Sequence, residues 1–153
     1  MILKSTFYCN LIAKMLSYHY QRLRHNTMYQ VIFYEDEKGI SPLWNQLEAF
    51  RTHQNNKDYR IQYKQMLLYI QLLQNNGTYL PNTITKHIED GIWELRPGMN
   101  RILYFFHHND TFVLLHSFRK KIQKTPRREI EQAKRERNIY LHRKELESHE
   151  DLE

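Results

Sequence analysis

The sequence has little cysteine and no long hydrophobic run. Cys9 is the only cysteine among the 153 residues, which excludes an internal disulfide and suits a reducing compartment. No stretch approaches the ~20 apolar residues that a membrane-spanning helix requires. The length fits one domain with its own core better than two ordinary domains. We therefore expect a single-domain cytoplasmic protein that does not act at a membrane.

Acidic residues are scarce in one part of the chain. Residues 119–144 contain 11 lysines and arginines but only three acids, Glu129, Glu131 and Glu136. This segment carries +8, which leaves −2 for the remainder of a chain whose net charge is +6. Such a concentration indicates a polyanionic partner, although a solvated helix surface has a similar composition.

The first 27 residues differ from the rest, with four basic residues and no acidic one. Lys14 interrupts the apolar stretch that a secretory signal would need, and no small-residue cleavage site follows. We interpret residues 1–27 as an extension or a misassigned start, residues 28–147 as the domain, and residues 148–153 as a tail.

From Met28 onward the hydrophobic pattern predicts the order β-α-α-β-β-β-β-α. Ser41-Pro42 and Thr125-Pro126 each suggest an N-cap followed by proline in the first helical turn. Gly77 suggests a left-handed C′ residue. The predicted strands are 29–34, 83–88, 91–96, 101–107 and 111–118; the helices follow Ser41, precede Gly77, and run from Pro126 to about Glu147. This order predicts an α+β fold, a small antiparallel sheet with two helices on one face and a basic C-terminal helix.

Two arginines flank the predicted turn Pro97-Gly98. Arg96 ends one strand and Arg101 begins the next, so their guanidinium groups could clamp phosphates. An exposed pair of arginines at a hairpin is the alternative interpretation.

A second group of cations follows the last predicted strand. Strict alternation places His116 on one face with Phe112, Leu114 and Phe118, where a histidine is more often a core residue than a catalyst. Clustered cations just beyond it suit the stabilisation of a phosphorane; they are Arg119, Lys120, Lys121 and Lys124.

The C-terminal helix has only a weak apolar stripe, which predicts loose docking at the sheet edge and a solvated basic surface that includes Arg127 and Arg128. We expect no metal and no cofactor. His107, His108, Asp110 and His116 form a poor ligand set, because the adjacent histidines diverge in a strand or turn.

Two blocks of the sequence carry a family resemblance: WELRPGMNRILYFF (93–106) and FVLLHSFRKKIQKTPRREIEQAKRERNIY (112–140). Together they resemble the phage-derived, HigB-like branch of the RelE/ParE toxin superfamily, over roughly residues 28–140. The resemblance implies a small sheet with two helices on one face and a third helix at the end. It also implies an endoribonuclease that cuts mRNA in the ribosomal A site, restrained in a hetero-oligomer by a helix-turn-helix (HigA-like) antitoxin.

The resemblance also implies roles for individual residues. Arg101 matches the arginine of the sheet face, Lys120 or Lys121 matches the basic group after the last strand, and Arg96 is a weaker match. RNA needs no external nucleophile, because its own 2′-OH can attack the phosphorus. We therefore assign charge stabilisation to Arg101, Lys120 and Lys121, and proton transfer to His116, with Tyr104 and His107 as lesser candidates. The expected RNA contacts are Arg96, Arg119, Lys124, Arg127 and Arg128.

Other functions remain open from the sequence. They are a ParE-like toxin that poisons DNA gyrase, an RNA-binding module without chemistry, and an inactive phage remnant. The nuclease hypothesis requires that the cations of the hairpin and of the post-strand segment meet on one uncovered sheet surface.

Overall fold

The computed structural model describes residues 29–108 and 110–151. Its order of elements is the predicted one, and most boundaries agree within two residues. The strands are β1 (Gln30–Phe33), β2 (Thr85–Glu89), β3 (Ile92–Leu95), β4 (Asn100–His107) and β5 (Thr111–Arg119); the helices are α1 (Pro42–Thr52), α2 (Lys57–Asn76) and α3 (Arg127–Glu150). The extension proposed for residues 1–27 lies outside the described residues.

The five strands form one sheet in the order β1-β5-β4-β3-β2. The meander β2-β3-β4-β5 is antiparallel, as predicted. The edge strand β1 pairs parallel to β5, so the sheet is mixed and the prediction of a wholly antiparallel sheet was wrong in this respect. A parallel pair needs a long crossover connection, and here α1, α2 and the meander lie between the two strands.

Helices α1 and α2 cover one face of the sheet, as predicted. Ser41 caps α1, because the Trp44 N–H donates to its side-chain oxygen at 3.2 Å. Gly77 ends α2 with the expected positive φ of 59°, but its ψ of −141° lies outside the left-handed helical region. The core on this face is largely apolar and includes Leu43, Leu47, Met66, Ile70, Leu73, Ile102, Tyr104, Phe112 and Leu114.

Helix α3 covers the opposite face, so the expectation of a helix docked loosely at the sheet edge was wrong. Its residues Ala133 and Tyr140 pack in a second core cluster with Leu103, Phe105 and Val113. The few large apolar residues of α3 are enough to cover this face, because the sheet supplies most of the apolar surface. The molecule therefore has three layers, with the sheet between α1/α2 and α3.

Charged side chains of α3 also bind the turn between β2 and β3. Lys134 lies 2.9 Å from Glu89 and 2.7 Å from Asp90, and Arg137 donates to the Asp90 carbonyl. Arg127 pairs with Glu89. Part of the positive charge that the sequence concentrates in residues 119–144 thus holds the helix in place and is not free for a polyanion.

A β-bulge in β5 changes which residues share a face. Ile102 pairs with Ser117, whereas Tyr104 pairs with Leu114, so β5 has one extra residue between these pairs. Phe112 and Leu114 consequently point to the α1/α2 layer, and His116 binds α3. The prediction that Phe112, Leu114, His116 and Phe118 share one face was wrong, because only Phe118 lies with His116 on the α3 side.

The start of α3 also differs from the prediction. Thr125 does not cap the helix, and Pro126 occupies the N-cap position without a side-chain cap. Helix α3 continues to Glu150, past the predicted end near Glu147. No helix in residues 29–108 and 110–151 is long and apolar enough to cross a membrane.

Candidate nucleic-acid interface

The cations of the hairpin and of the post-strand segment lie around one depression. Arg101, at the start of β4, lines it together with Lys120, Lys121 and Lys124. The two segments are joined by a backbone hydrogen bond of 2.7 Å from the Lys120 N–H to the Met99 carbonyl. The proximity that the sequence analysis required is therefore present. The second half of that requirement is not met. Helix α3 covers the adjoining sheet face, so the expectation of an uncovered sheet surface was wrong, and the depression lies instead beside the start of that helix.

Arg101 is held in a fixed orientation. Its Nη1 donates to the carbonyls of Gly98 at 2.8 Å and Asn100 at 2.7 Å, and its Nε lies 3.3 Å from Glu94 Oε1. Nη2 has no hydrogen-bond partner among the residues that the structure describes. Burial lowers the pKa of Arg101, but a guanidinium stays charged in a protein. Arg101 therefore keeps one donor group available for an anion.

Glu94 is the acidic residue of this site, and its side chain is almost wholly buried. Oε1 accepts a hydrogen bond of 3.0 Å from Arg96 Nε and lies beside Arg101. Oε2 accepts from the Thr125 hydroxyl. One carboxylate thus connects Arg96 of the hairpin, Arg101 near the start of β4 and Thr125 in the segment that leads into α3.

The three lysines of the depression are not neutralised by any acid within residues 29–108 and 110–151. Lys120, Lys121 and Lys124 form no ion pair with any residue in the described part of the chain, in contrast to Lys134. Thr125 and Pro126 line the same depression, and α3 begins directly after them. The N-terminal end of a helix carries partial positive charge, so it adds to the positive potential here.

The remaining predicted RNA contacts do not all join this site. Arg96 is connected to it through Glu94 and also donates to the Asn82 carbonyl at 2.9 Å. Arg119 points toward α2, where it donates to Gln62 at 3.3 Å. Arg127 binds Glu89 and Glu131. Arg128 is well exposed and binds Glu129 at 3.0 Å. Arg119 and Arg127 therefore lie apart from the depression as side chains that already have partners.

His116 is removed from the set of catalytic candidates. It is 3% exposed, and both ring nitrogens are bound: Nδ1 to Glu136 at 2.7 Å and Nε2 to Glu129 at 3.0 Å. A histidine whose two nitrogens are occupied in a buried cluster cannot reach an RNA 2′-OH or leaving oxygen. The proton-transfer role assigned from the sequence does not fit this geometry, because the bulge in β5 turns the ring under α3.

The environment of His116 favours its charged form. Burial by itself lowers the pKa of the imidazole, but the hydrogen bonds and negative charges of Glu136 and Glu129 outweigh it, so the pKa is raised. Arg128 and Gln132 bind the outer oxygens of the two carboxylates at 3.0 and 2.9 Å. This cluster is a polar connection between β5 and α3.

The two lesser candidates for proton transfer, Tyr104 and His107, lie in surroundings that differ from those of His116. Tyr104 is in the core, and its hydroxyl is 2.6 Å from Thr85 Oγ1; burial raises its pKa. His107 packs on Tyr140 with ring centroids 5.4 Å apart, and burial lowers its pKa. Residues 29–108 and 110–151 contain no group of three or more histidine, cysteine or acidic residues arranged to hold a metal ion.

Three acidic residues that organise the region were not predicted from the sequence. Glu129 and Glu136 are seven positions apart, which places them on one side of a helix, and that spacing was a usable signal for a buried partner. Glu94 stands in a strand whose neighbours are apolar. An acid among the apolar residues of a strand indicates a buried ion pair. Arg96, two residues further along the chain, was its visible partner.

The comparisons with known proteins identify a family. A family model described as "Phage derived protein Gp49-like (DUF891)" matches residues 60–138, which is more than half of the chain and includes β2 to β5 with both groups of cations. No curated protein matches the chain. The chain therefore belongs to the phage-derived Gp49-like family, which is a RelE/HigB-like toxin family.

Proposed function

We propose that this protein is the toxin of a type II toxin–antitoxin system and that it inhibits translation as a metal-independent, ribosome-dependent mRNA endoribonuclease. The observation that carries the proposal is the shared depression of Arg101, Lys120, Lys121 and Lys124. Four cations around a concave site suit a phosphate that gains charge during the reaction. The lysines have no carboxylate partner in the described residues, which leaves them available to RNA.

In the proposed mechanism the RNA 2′-OH attacks the adjacent phosphorus. Arg101, through Nη2, and one or both of Lys120 and Lys121 stabilise the negative charge that develops on the phosphate oxygens. The O5′–phosphorus bond then breaks, and the 5′-oxygen takes up a proton. With His116 buried, a lysine of the depression is the remaining candidate for the donor of that proton, while the general base is supplied by the ribosome, the RNA or water.

The proposed partners follow from the same function. They are mRNA on the ribosome and a helix-turn-helix, HigA-like antitoxin that forms a hetero-oligomer with this chain in the cytoplasm. The antitoxin would have to keep RNA from the depression, either by covering it or by changing the position of the segment 120–125.

The test is induced expression of the full chain in bacteria. We expect growth arrest with the wild type, and relief of that arrest with Arg101→Ala and with Lys120→Ala/Lys121→Ala. Lys57→Ala/Lys64→Ala is the matched control, because it removes two exposed lysines of α2 on the opposite side of the sheet and should leave the arrest unchanged. Circular dichroism of each purified variant checks that it is folded. Variants of the depression that are folded and as toxic as the wild type would contradict the proposal.

A further inference from the structure

Glu94 is an unusual residue to find among cations that are expected to bind phosphate. A carboxylate weakens the positive potential of the site, and its burial has an energetic cost unless its oxygens are satisfied. Glu94 is buried, because its side chain is only 3% exposed, and its oxygens are satisfied. Together they have three partners, Arg96, Arg101 and Thr125.

Glu94 could act as a general base or as a residue that orients other groups, and these contacts distinguish the two roles. A general base must reach the RNA 2′-OH with a free oxygen. Neither oxygen of Glu94 is free, and the side chain is almost inaccessible to solvent. The same contacts are well suited to orienting other groups, because a carboxylate can accept from several donors in fixed directions.

We propose that Glu94 is the positioning residue of the RNA-phosphate site. It aligns Arg101 from one side while the Gly98 and Asn100 carbonyls hold Nη1 from the other, so that Nη2 remains for the phosphate. Through Thr125 it also fixes the end of the segment 120–125, which carries the three lysines. The inference rests on the proposed nuclease function. It adds to that function the residue that fixes the positions of the two groups of cations relative to each other.

The proposal predicts an effect that simple electrostatics would not produce. Glu94→Gln removes a negative charge from a cationic site, which by itself should strengthen RNA binding. Loss of alignment should instead slow the chemical step, since a small misplacement of a catalytic group costs up to about 100-fold in rate. We therefore expect the maximal cleavage rate to fall about 10- to 100-fold, while the half-saturating protein concentration stays the same or falls.

The experiment is single-turnover cleavage of mRNA on programmed ribosomes, measured with the full chain over a range of protein concentrations. Glu48→Gln is the matched control, because Glu48 also pairs with an arginine, Arg51, but lies on α1 away from the depression. It should cleave at the wild-type rate. Thr125→Val is the second variant; it removes one of the three contacts of Glu94, and we expect its maximal rate to fall about 3- to 10-fold, as for one lost hydrogen bond.

The possible outcomes are distinguishable. Cleavage by the wild type together with an unchanged maximal rate for folded Glu94→Gln would overturn the positioning role and leave the proposed function standing. If Glu94→Gln does not fold, a wild-type rate for Thr125→Val would overturn the role in the same way. A wild-type chain that does not cleave mRNA on the ribosome would overturn both proposals.

Discussion

At the scale of the residue, the same side-chain types have different tasks according to their partners. Among the residues that the structure describes, Arg101 and the lysines of the depression keep donors without a partner, whereas Lys134 and Arg127 bind acids. His116 is likewise a structural group, bound between two glutamates of α3. Burial and partners therefore distinguish the cations that bind other parts of the protein from those proposed to bind RNA, and the sequence alone does not show either.

The His116 cluster predicts a pH dependence of stability. Because the pKa of His116 is raised in the folded protein, its contribution is fully present below the unfolded value of about 6.5 and is lost as the pH rises through the folded-state pKa. Urea unfolding between pH 6 and pH 9 should show the free energy of unfolding of the wild type falling across this window. The triple variant His116→Gln/Glu129→Gln/Glu136→Gln should lack that component. Parallel pH profiles for the two proteins would refute this account of the cluster.

At the scale of the element, caps and turns could be predicted where a single residue type has one physical use. Ser41-Pro42 began α1 as expected, and Gly77 ended α2. Thr125-Pro126 has the same pattern, yet Thr125 donates to Glu94 instead of capping α3. Tertiary contacts can thus override a local signal, and those contacts come from residues that are distant in sequence.

Gly77 allows a prediction about the junction between α2 and the sheet. A Cβ at position 77 would lie 2.7 Å from the ring of Tyr29, whereas one at Gly39, which also has positive φ, meets nothing closer than 4.0 Å. Both substitutions by alanine carry a backbone cost of positive φ, about 1 kcal/mol. That cost is higher at Gly77, because its ψ of −141° lies outside the left-handed helical region, and Gly77→Ala also adds a clash with a ring. We expect Gly77→Ala to lower the free energy of unfolding by at least about 1 kcal/mol more than Gly39→Ala, measured by urea denaturation. Equal losses would contradict both the ring clash and the added backbone cost at Gly77.

At the scale of the whole molecule, the element order and the two-helix layer followed from hydrophobic periodicity, because one sheet face and two amphipathic helices bury each other. Three features did not follow. The parallel pairing of β1 leaves no mark in a strand of four residues. The bulge in β5 has no glycine or proline to signal it. The burial of the second face depends on small and polar residues of α3, such as Ala133 and Glu136, which do not form a conventional apolar stripe.

In the candidate site, too, some features could be predicted from the sequence and others could not. That Arg101 and the lysines after β5 would meet could be predicted from a hairpin and a neighbouring strand end. That Arg119 and Arg127 would point elsewhere could not, because it depends on Gln62 and Glu89, which lie 57 and 38 positions away in the chain.

The distribution of charge predicts how RNA binding depends on salt. Each phosphate that a single-stranded RNA contributes to binding adds about 0.7 to the slope of log K against log salt concentration. Lys120→Ala/Lys121→Ala should therefore reduce that slope by about 1.4, and the control Lys57→Ala/Lys64→Ala should not change it. Fluorescence anisotropy with a labelled RNA oligonucleotide at several salt concentrations measures both. Equal slopes for the wild type and the depression variant would place the RNA on another surface.

The central claim is that the depression formed by Arg101 and the lysines of segment 120–125 cleaves mRNA. Mapping the 5′ ends of cellular transcripts after induction tests it most directly, with the wild type and Arg101→Ala compared at equal protein levels. We predict new 5′ ends inside translated reading frames with the wild type, and none with Arg101→Ala. Intact transcripts together with blocked DNA replication would contradict the claim and indicate a gyrase poison instead.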